Sequence, residues 1–180
     1  MKIVKTIVII LVILIAIPLI VALFIKKDYT VQREITINKP NAQVFDYIRY
    51  LKNQENYSVW AMKDPEMKKE YKGTDGTVGF VSAWDSKVKE VGKGEQEILK
   101  ITEGERIDTK LRFKVPFEAE EDAYMTTNMI DSSSTKVTWG FNGTFAYPMN
   151  IMHLFMDMDK MIGKDLNDGL VKLKTVLEQQ

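Results

Sequence analysis

Between Tyr29 and Phe145 most of the chain alternates apolar and polar positions, the period of a half-buried strand. Helical spacing replaces that alternation at three places. The first is the unbroken apolar run Ile7–Ile25. The second is a short stretch after Pro40, with Val44, Phe45, Ile48 and Leu51 on one face. The third is Pro148–Leu177, where Ile151, Leu154, Phe155, Met158, Ile162, Leu166, Leu170, Leu173, Val176 and Leu177 follow the i, i+3, i+4, i+7 rule. Read as one helix, that last stretch is about 42 Å long at about 1.5 Å per residue. A helix of that length needs a broad partner, and the strands supply one.

Taken in order, Thr30–Asn38 is a strand whose mainly apolar face carries Val31, Arg33, Ile35 and Ile37. A proline-led helical pair follows, with Pro40 suited to a helix start. Met67–Lys72, Val78–Trp84, Glu95–Thr102, Arg106–Lys114, Glu118–Asp131 and Thr135–Phe145 then read as strands. Glycine-rich or serine-rich turns separate most of them. Strands joined by tight turns are antiparallel. In Arg106–Lys114, residues Ile107, Leu111 and Phe113 share a face. In Glu118–Asp131, Ala119, Ala123, Met125, Thr127 and Met129 do so. Thr135–Phe145, with Val137, Trp139, Phe141 and Phe145 on one side, is expected centrally in the sheet, opposite the long helix.

The run Ile7–Ile25 spans roughly 28 Å at the helical rise, close to a bilayer core of about 30 Å. Lys2 and Lys5 precede it, Lys26 and Lys27 follow it, and Pro18 lies inside it, where a membrane helix tolerates proline. A cleaved signal peptide has a shorter apolar region and a small-residue cleavage site. Leu23-Phe24-Ile25-Lys26-Lys27 offers none, so an uncleaved anchor over residues 1–27 is expected, with a single folded domain over residues 28–180. The small excess of positive charge at the amino end puts that end in the cytoplasm and the domain on the extracytoplasmic side.

Charge and composition narrow the function. The whole chain carries 25 bases and 25 acids; without the four lysines of the anchor region, residues 28–180 have 21 bases against 25 acids. An acidic domain argues against nucleic acid as a partner. There is no cysteine, hence no disulfide framework and no thiolate chemistry. His153 is the single histidine, which rules out multi-histidine zinc sites, so no metal and no cofactor is expected. It reads as a surface or cavity-mouth residue. Asp157, Asp159 and Asp165 lie on the closing helix. Asp159 could border a cavity and orient a ligand or move a proton, or belong to a solvated face with Lys160 and Lys164. The acidic run Glu118-Glu120-Glu121-Asp122 reads as an exposed strand edge that discourages pairing with other chains. Gly73–Gly79 lacks the Lys-Ser or Lys-Thr ending of a phosphate loop and reads as a hairpin turn.

This order of elements resembles the START-like superfamily, also called the helix-grip or SRPBCC fold, and within it the polyketide cyclase/dehydrase and lipid transport family. Four stretches carry the resemblance: INKPNAQVFDYI, Trp60 after the second short helix, GTVGFVSAWDS followed by VGKGEQEI, and MIGKDLNDGLVKLK. It covers about residues 29–178. It implies an α+β fold in which a curved antiparallel sheet of about six to seven strands wraps a long C-terminal helix, with two short helices after the first strand. It also implies a deep apolar cavity between sheet and helix. The residues expected to line it are Trp84, Leu111, Phe113, Met125, Met129, Trp139, Phe141, Met152, Phe155, Met158 and Ile162, with Asp159 at its border. Seven of the ten methionines fall between Met125 and Met161, and methionine adapts to irregular apolar shapes. Three functions fit. The first is a membrane-anchored binder of a hydrophobic small molecule or lipid. The second is a cyclase, dehydrase or hydrolase working on an apolar substrate in the same cavity. The third is an interaction module whose core is filled. No residue pattern marks a catalytic group.

Overall fold

The computed structural model describes residues 2–180. Helix α1 (Lys2–Ala22) contains Pro18 and exposes most of its isoleucine, leucine and valine side chains, while its last turn, at buried Ala22, meets the domain. Strand β1 (Asp28–Ile37) follows, then α2 (Asn41–Ile48), a 3₁₀ helix (Leu51–Asn56) and α3 (Val59–Lys63). Pro40 occupies the N-cap of α2, and Val44, Phe45 and Ile48 are its buried face. Six more strands come in succession: β2 (Lys68–Lys72), β3 (Val81–Asp85), β4 (Lys93–Thr102), β5 (Arg106–Val115), β6 (Ala119–Asp131) and β7 (Ser134–Thr144). A 3₁₀ helix (Met149–Leu154) leads to α4 (Met158–Glu178).

All seven strands form one antiparallel sheet in the order β1-β7-β6-β5-β4-β3-β2. Consecutive hairpins build β2 to β7, and β1 closes against β7. Register shifts at Lys93/Gly94 and Ile98/Lys100 bend β4, the usual way a bulge adds curvature. The expected antiparallel sheet, short helices and closing helix are all present. The core lies between the concave face and α4. Val31, Ile37, Ile98, Ile107, Met125, Val137 and Trp139 from the sheet meet Leu166, Leu170, Leu173 and Leu177 from α4, with Val44, Phe45 and Ile48 of α2 beside them.

Three expectations need correction. The closing segment is not one continuous helix. Asp157 has an extended backbone and its carboxylate accepts a hydrogen bond from Lys160 N at 3.1 Å. It therefore starts a new helix, and Met152 and Phe155 fall before it. Strand β7 is interior but next to the edge, and α4 lies mainly over the edge strand β1. The reason is a set of contacts on β1. Arg33 pairs with Asp159, the Thr36 carbonyl accepts from Lys174 Nζ at 2.7 Å, and Asn38 N donates to Glu178 at 2.7 Å. The acidic run is not an edge either, because β6 is paired on both sides. Asp122 and Glu120 face outward to Lys110 (2.5 Å) and Arg112 (3.7 Å) on β5, whereas Glu121 is 9% exposed and points to the concave side.

Candidate ligand cavity

An apolar cavity of about 250 Å³ lies between the concave face and helices α3 and α4. Trp84, Leu111, Phe113, Ala123, Trp139 and Phe141 form its sheet wall; Leu51, Trp60, Ala61, Ile162 and Leu166 form its helical wall. Alternation along the strands places these side chains on one face. Glu55 and Glu90 are the exposed residues of its lining. A separate small void of about 10 Å³, bordered by Gln54, Gln96 and Trp139 as well, is lined by Ile107 and Met125.

Aromatic contacts fix the wall. Trp139 meets Trp60 at 6.1 Å and Tyr57 at 5.7 Å, both edge to face, the arrangement favoured by ring quadrupoles. Trp84 meets Phe113 at 6.0 Å in the same way, and its indole N–H donates to the Val91 carbonyl at 3.1 Å. The Gly-x-Gly of residues 92–94 now has a reason. Gly92 has φ +63°, and a Cβ there would strike the Val115 carbonyl oxygen at 2.1 Å. A Cβ on Gly94 would lie 2.7 Å from the Trp84 ring and 2.7 Å from the Arg112 carbonyl oxygen. The bare backbone at 94 is what lets the indole lie across β4.

Polar groups on the lining are few. Ser58 and Gln54 bring a hydroxyl and an amide. Gln96 donates to Thr109 Oγ1 at 3.0 Å, and Thr109 in turn donates to the Ala123 carbonyl at 3.2 Å. Glu55 pairs with Lys69 at 3.1 Å and accepts from the Tyr71 hydroxyl. Burial alone would raise the Glu55 carboxyl, but the Tyr71 and Lys69 contacts outweigh it and hold it below the ordinary range. Tyr57, fully buried, is pushed up by desolvation. Glu121 lies beyond the lining, toward Tyr29, and burial pushes its carboxyl up to about 7, the Thr144 backbone partly offsetting the shift. Among the described residues no cluster of three or more His, Asp or Glu side chains could hold a metal ion.

Of the residues expected at the cavity, the structure brings Trp84, Leu111, Phe113, Trp139, Phe141 and Ile162 to it. The others lie elsewhere. Met125 is core and borders only the small separate void. Met129 is 70% exposed, on the part of β6 that extends beyond its pairing with β5. Met152 and Phe155 precede the break at Asp157, and Phe155 is 77% exposed. Met158 packs at the core margin. Asp159 faces Arg33, not the cavity: two nitrogens of the guanidinium donate to the two carboxylate oxygens at 2.8 Å each. Hydrogen bonding to Arg33 holds the Asp159 carboxyl below its ordinary range. His153 stacks edge-on against Phe145 (4.9 Å) and Tyr29 (5.6 Å), with Nε2 3.2 Å from the Lys27 carbonyl oxygen, so Nε2 is the donor there. Gln96 and Ala123 were not singled out from the sequence. The alternation of their strands puts both on the inward face, and that signal could have found them.

Comparison with solved structures shows the same architecture. The Zhui aromatase/cyclase from Streptomyces sp. R1128 superposes with a TM-score of 0.63 at 11% identity, covering 84% of this chain and 94% of that one. Protein MLL2253 from Mesorhizobium loti gives 0.58 at 14% identity, covering 84% and 98%. Ginseng major latex-like protein 151 from Panax ginseng gives 0.58 at 11% identity, covering 82% and 96%. No family model matches the sequence, and no curated protein does. At these identities the likeness is one of fold: the chain has the helix-grip fold of these structures, with an apolar helix at its amino end.

Proposed function

We propose that this protein holds a hydrophobic small molecule or lipid in the sheet–helix cavity and is kept at a membrane by α1. The observation that carries this reading is the cavity itself: about 250 Å³, walled mainly by aromatic and aliphatic side chains, with Gln54, Ser58, Ser82 and Gln96 as its uncharged polar groups and Glu55, Lys69 and Glu90 as its charged ones. Such a lining, apolar with a small number of polar anchors, suits a guest that is mostly hydrocarbon or aromatic. The fold of an aromatase/cyclase is compatible with turnover in the same cavity, but turnover needs a proton donor or acceptor aimed at the guest. Of the three ionisable residues on the lining, Glu55 and Lys69 are bound to each other and Glu90 is exposed at its edge, which favours binding over catalysis.

Helix α1 supports the anchor: 21 residues, apolar from Ile7 onward and exposed along most of its length. The charge difference across it favours the domain on the extracytoplasmic side. Retention in the pellet after alkaline carbonate extraction is expected; release to the supernatant would exclude the anchor. For the cavity, native mass spectrometry of the full chain in detergent is expected to show a bound apolar molecule or uptake of a fluorescent fatty acid. Ala123→Phe, which places a ring in the lining, is expected to abolish both. Uptake unchanged in Ala123→Phe would remove the cavity as the binding site.

A further inference from the structure

Helix α1 is not a loose tether. Its last carbonyl groups have no partner within the helix, and the domain supplies donors for that end. Asn150 is fully buried and its side-chain amide donates to the Ala22 carbonyl at 2.6 Å and the Ile25 carbonyl at 2.8 Å. The Tyr147 hydroxyl lies 3.4 Å from the Leu19 carbonyl, and Ala22 is 1% exposed. Phe145 N donates to the Lys27 carbonyl at 2.9 Å. Where α1 ends, segment 145–155 begins to cover it.

That segment carries unusual exposure. Phe155 is 77%, Leu154 58% and Met149 56% exposed. The sheet register brings a second exposed ring to the same end. Asp28 pairs with Thr144, Asn142 with Asp122, Ala119 with Phe113, and Val115 with Lys93. The start of β1, the β5–β6 turn and the β3–β4 loop therefore share one rim. Phe117 in that turn is 80% exposed, and Glu90, one of the two exposed residues of the cavity lining, stands in the β3–β4 loop. Single exposed apolar residues need no explanation, but several gathered on one rim do.

We infer that this rim, with Phe117, Leu154 and Phe155 as its contacts, lies in the boundary layer of the bilayer that α1 spans. The rim sits against the membrane, and the Glu90 edge of the cavity lies on that side. The occupant is a lipid surface because the last turn of the spanning helix is hydrogen-bonded to the very segment that bears Leu154 and Phe155. Apolar side chains inserted at the headgroup boundary gain burial that water denies them. This inference rests on the reading of α1 as a membrane span, and its test separates the two.

The chain has no cysteine, so single-cysteine variants can carry a nitroxide label. Leu11→Cys, Phe117→Cys, Phe155→Cys and Ser133→Cys of the full chain would be reconstituted in phosphatidylcholine nanodiscs. Collisional accessibility to oxygen and to an aqueous nickel chelate would then be read by electron paramagnetic resonance. Labels at 117 and 155 are expected to show an oxygen-to-nickel ratio several-fold above that at Ser133, on the β6–β7 turn at the opposite end of the sheet. Aqueous labels at 117 and 155 beside a lipid-buried label at Leu11 would overturn the rim and leave the anchor standing. An aqueous label at Leu11 would overturn both. Phe117 and Phe155 are exposed, so folding does not depend on either.

Discussion

Gly169 of α4 faces the indole of Trp139 so closely that a Cβ on it would lie 2.8 Å from the ring edge and 3.3 Å from the Tyr57 carbonyl oxygen. The missing side chain lets α4 approach β7, and the same ring forms part of the cavity wall. Trp139 thus joins sheet, α3 and α4 through its contacts with Trp60, Tyr57 and Gly169. The cavity depends on how closely the helix sits.

Gly169→Ala sets two effects against each other. Alanine favours a helix over glycine by about 1 kcal/mol. Overpacking a well-filled core costs about 1–3 kcal/mol, and Trp139 is held by two edge-to-face contacts that leave it little room to yield. A net loss of up to about 2 kcal/mol is expected, read as a lower Tm by circular dichroism. A higher Tm would show that the indole moves aside.

Arg33 and Asp159 form a surface-accessible latch between β1 and the first turn of α4, with the guanidinium over Gly163, where a Cβ would lie 2.1 Å from it. Exposed pairs contribute little. Asp159→Asn is expected to lower Tm by a few degrees at most and to leave uptake of an apolar probe unchanged. Lost uptake in a folded variant would return Asp159 to the cavity, where the sequence alone had allowed it.

Why that residue was misplaced is instructive. Strand period and turn chemistry sufficed for the sheet, because each strand buries one face and exposes the other. The cavity residues on strands, such as Trp84, Leu111 and Trp139, followed from the same alternation. The errors cluster at 148–159, where helical spacing continues through Phe155 although the backbone does not. Asp157 breaks the pattern by capping a new helix, a local hydrogen bond that apolar spacing does not register. Arg33 was visible on the inward face of β1, but its partner lies 126 positions away, and no local rule pairs them. Glu121 was hidden in an acidic run whose other members do face solvent.

Glu121 predicts a pH dependence. Burial raises its carboxyl from an ordinary 4.5 to about 7 in the folded protein. The native state therefore binds this proton more tightly than the unfolded chain does. The stabilisation is complete below about 4.5 and is lost as pH rises through about 7. Glu121→Gln keeps the shape and removes the charge. Its advantage over the parent is expected to be on the order of 1–2 kcal/mol at pH 8, after allowance for partial solvation, and to vanish near pH 4.5. Urea titrations at both pH values measure it; an equal gap at both would mean the carboxyl does not titrate in this window.

Gly94→Ala tests whether the cavity wall and the guest are linked. The added methyl group meets the Arg112 carbonyl oxygen on one side and the Trp84 ring on the other, each at 2.7 Å. Backbone on a paired strand yields less readily than a side chain, so the indole is the group displaced. It can leave only by giving up its hydrogen bond to the Val91 carbonyl and its edge contact with Phe113. Overpacking of this kind costs about 1–3 kcal/mol, and the ring must turn into the cavity or out to solvent. Either way the guest loses an aromatic wall. A folded Gly94→Ala protein is expected to bind an apolar fluorescent probe at least tenfold more weakly, a loss of about 1.4 kcal/mol. Equal affinity in the two proteins would mean that the probe rests against a different part of the sheet, away from Trp84.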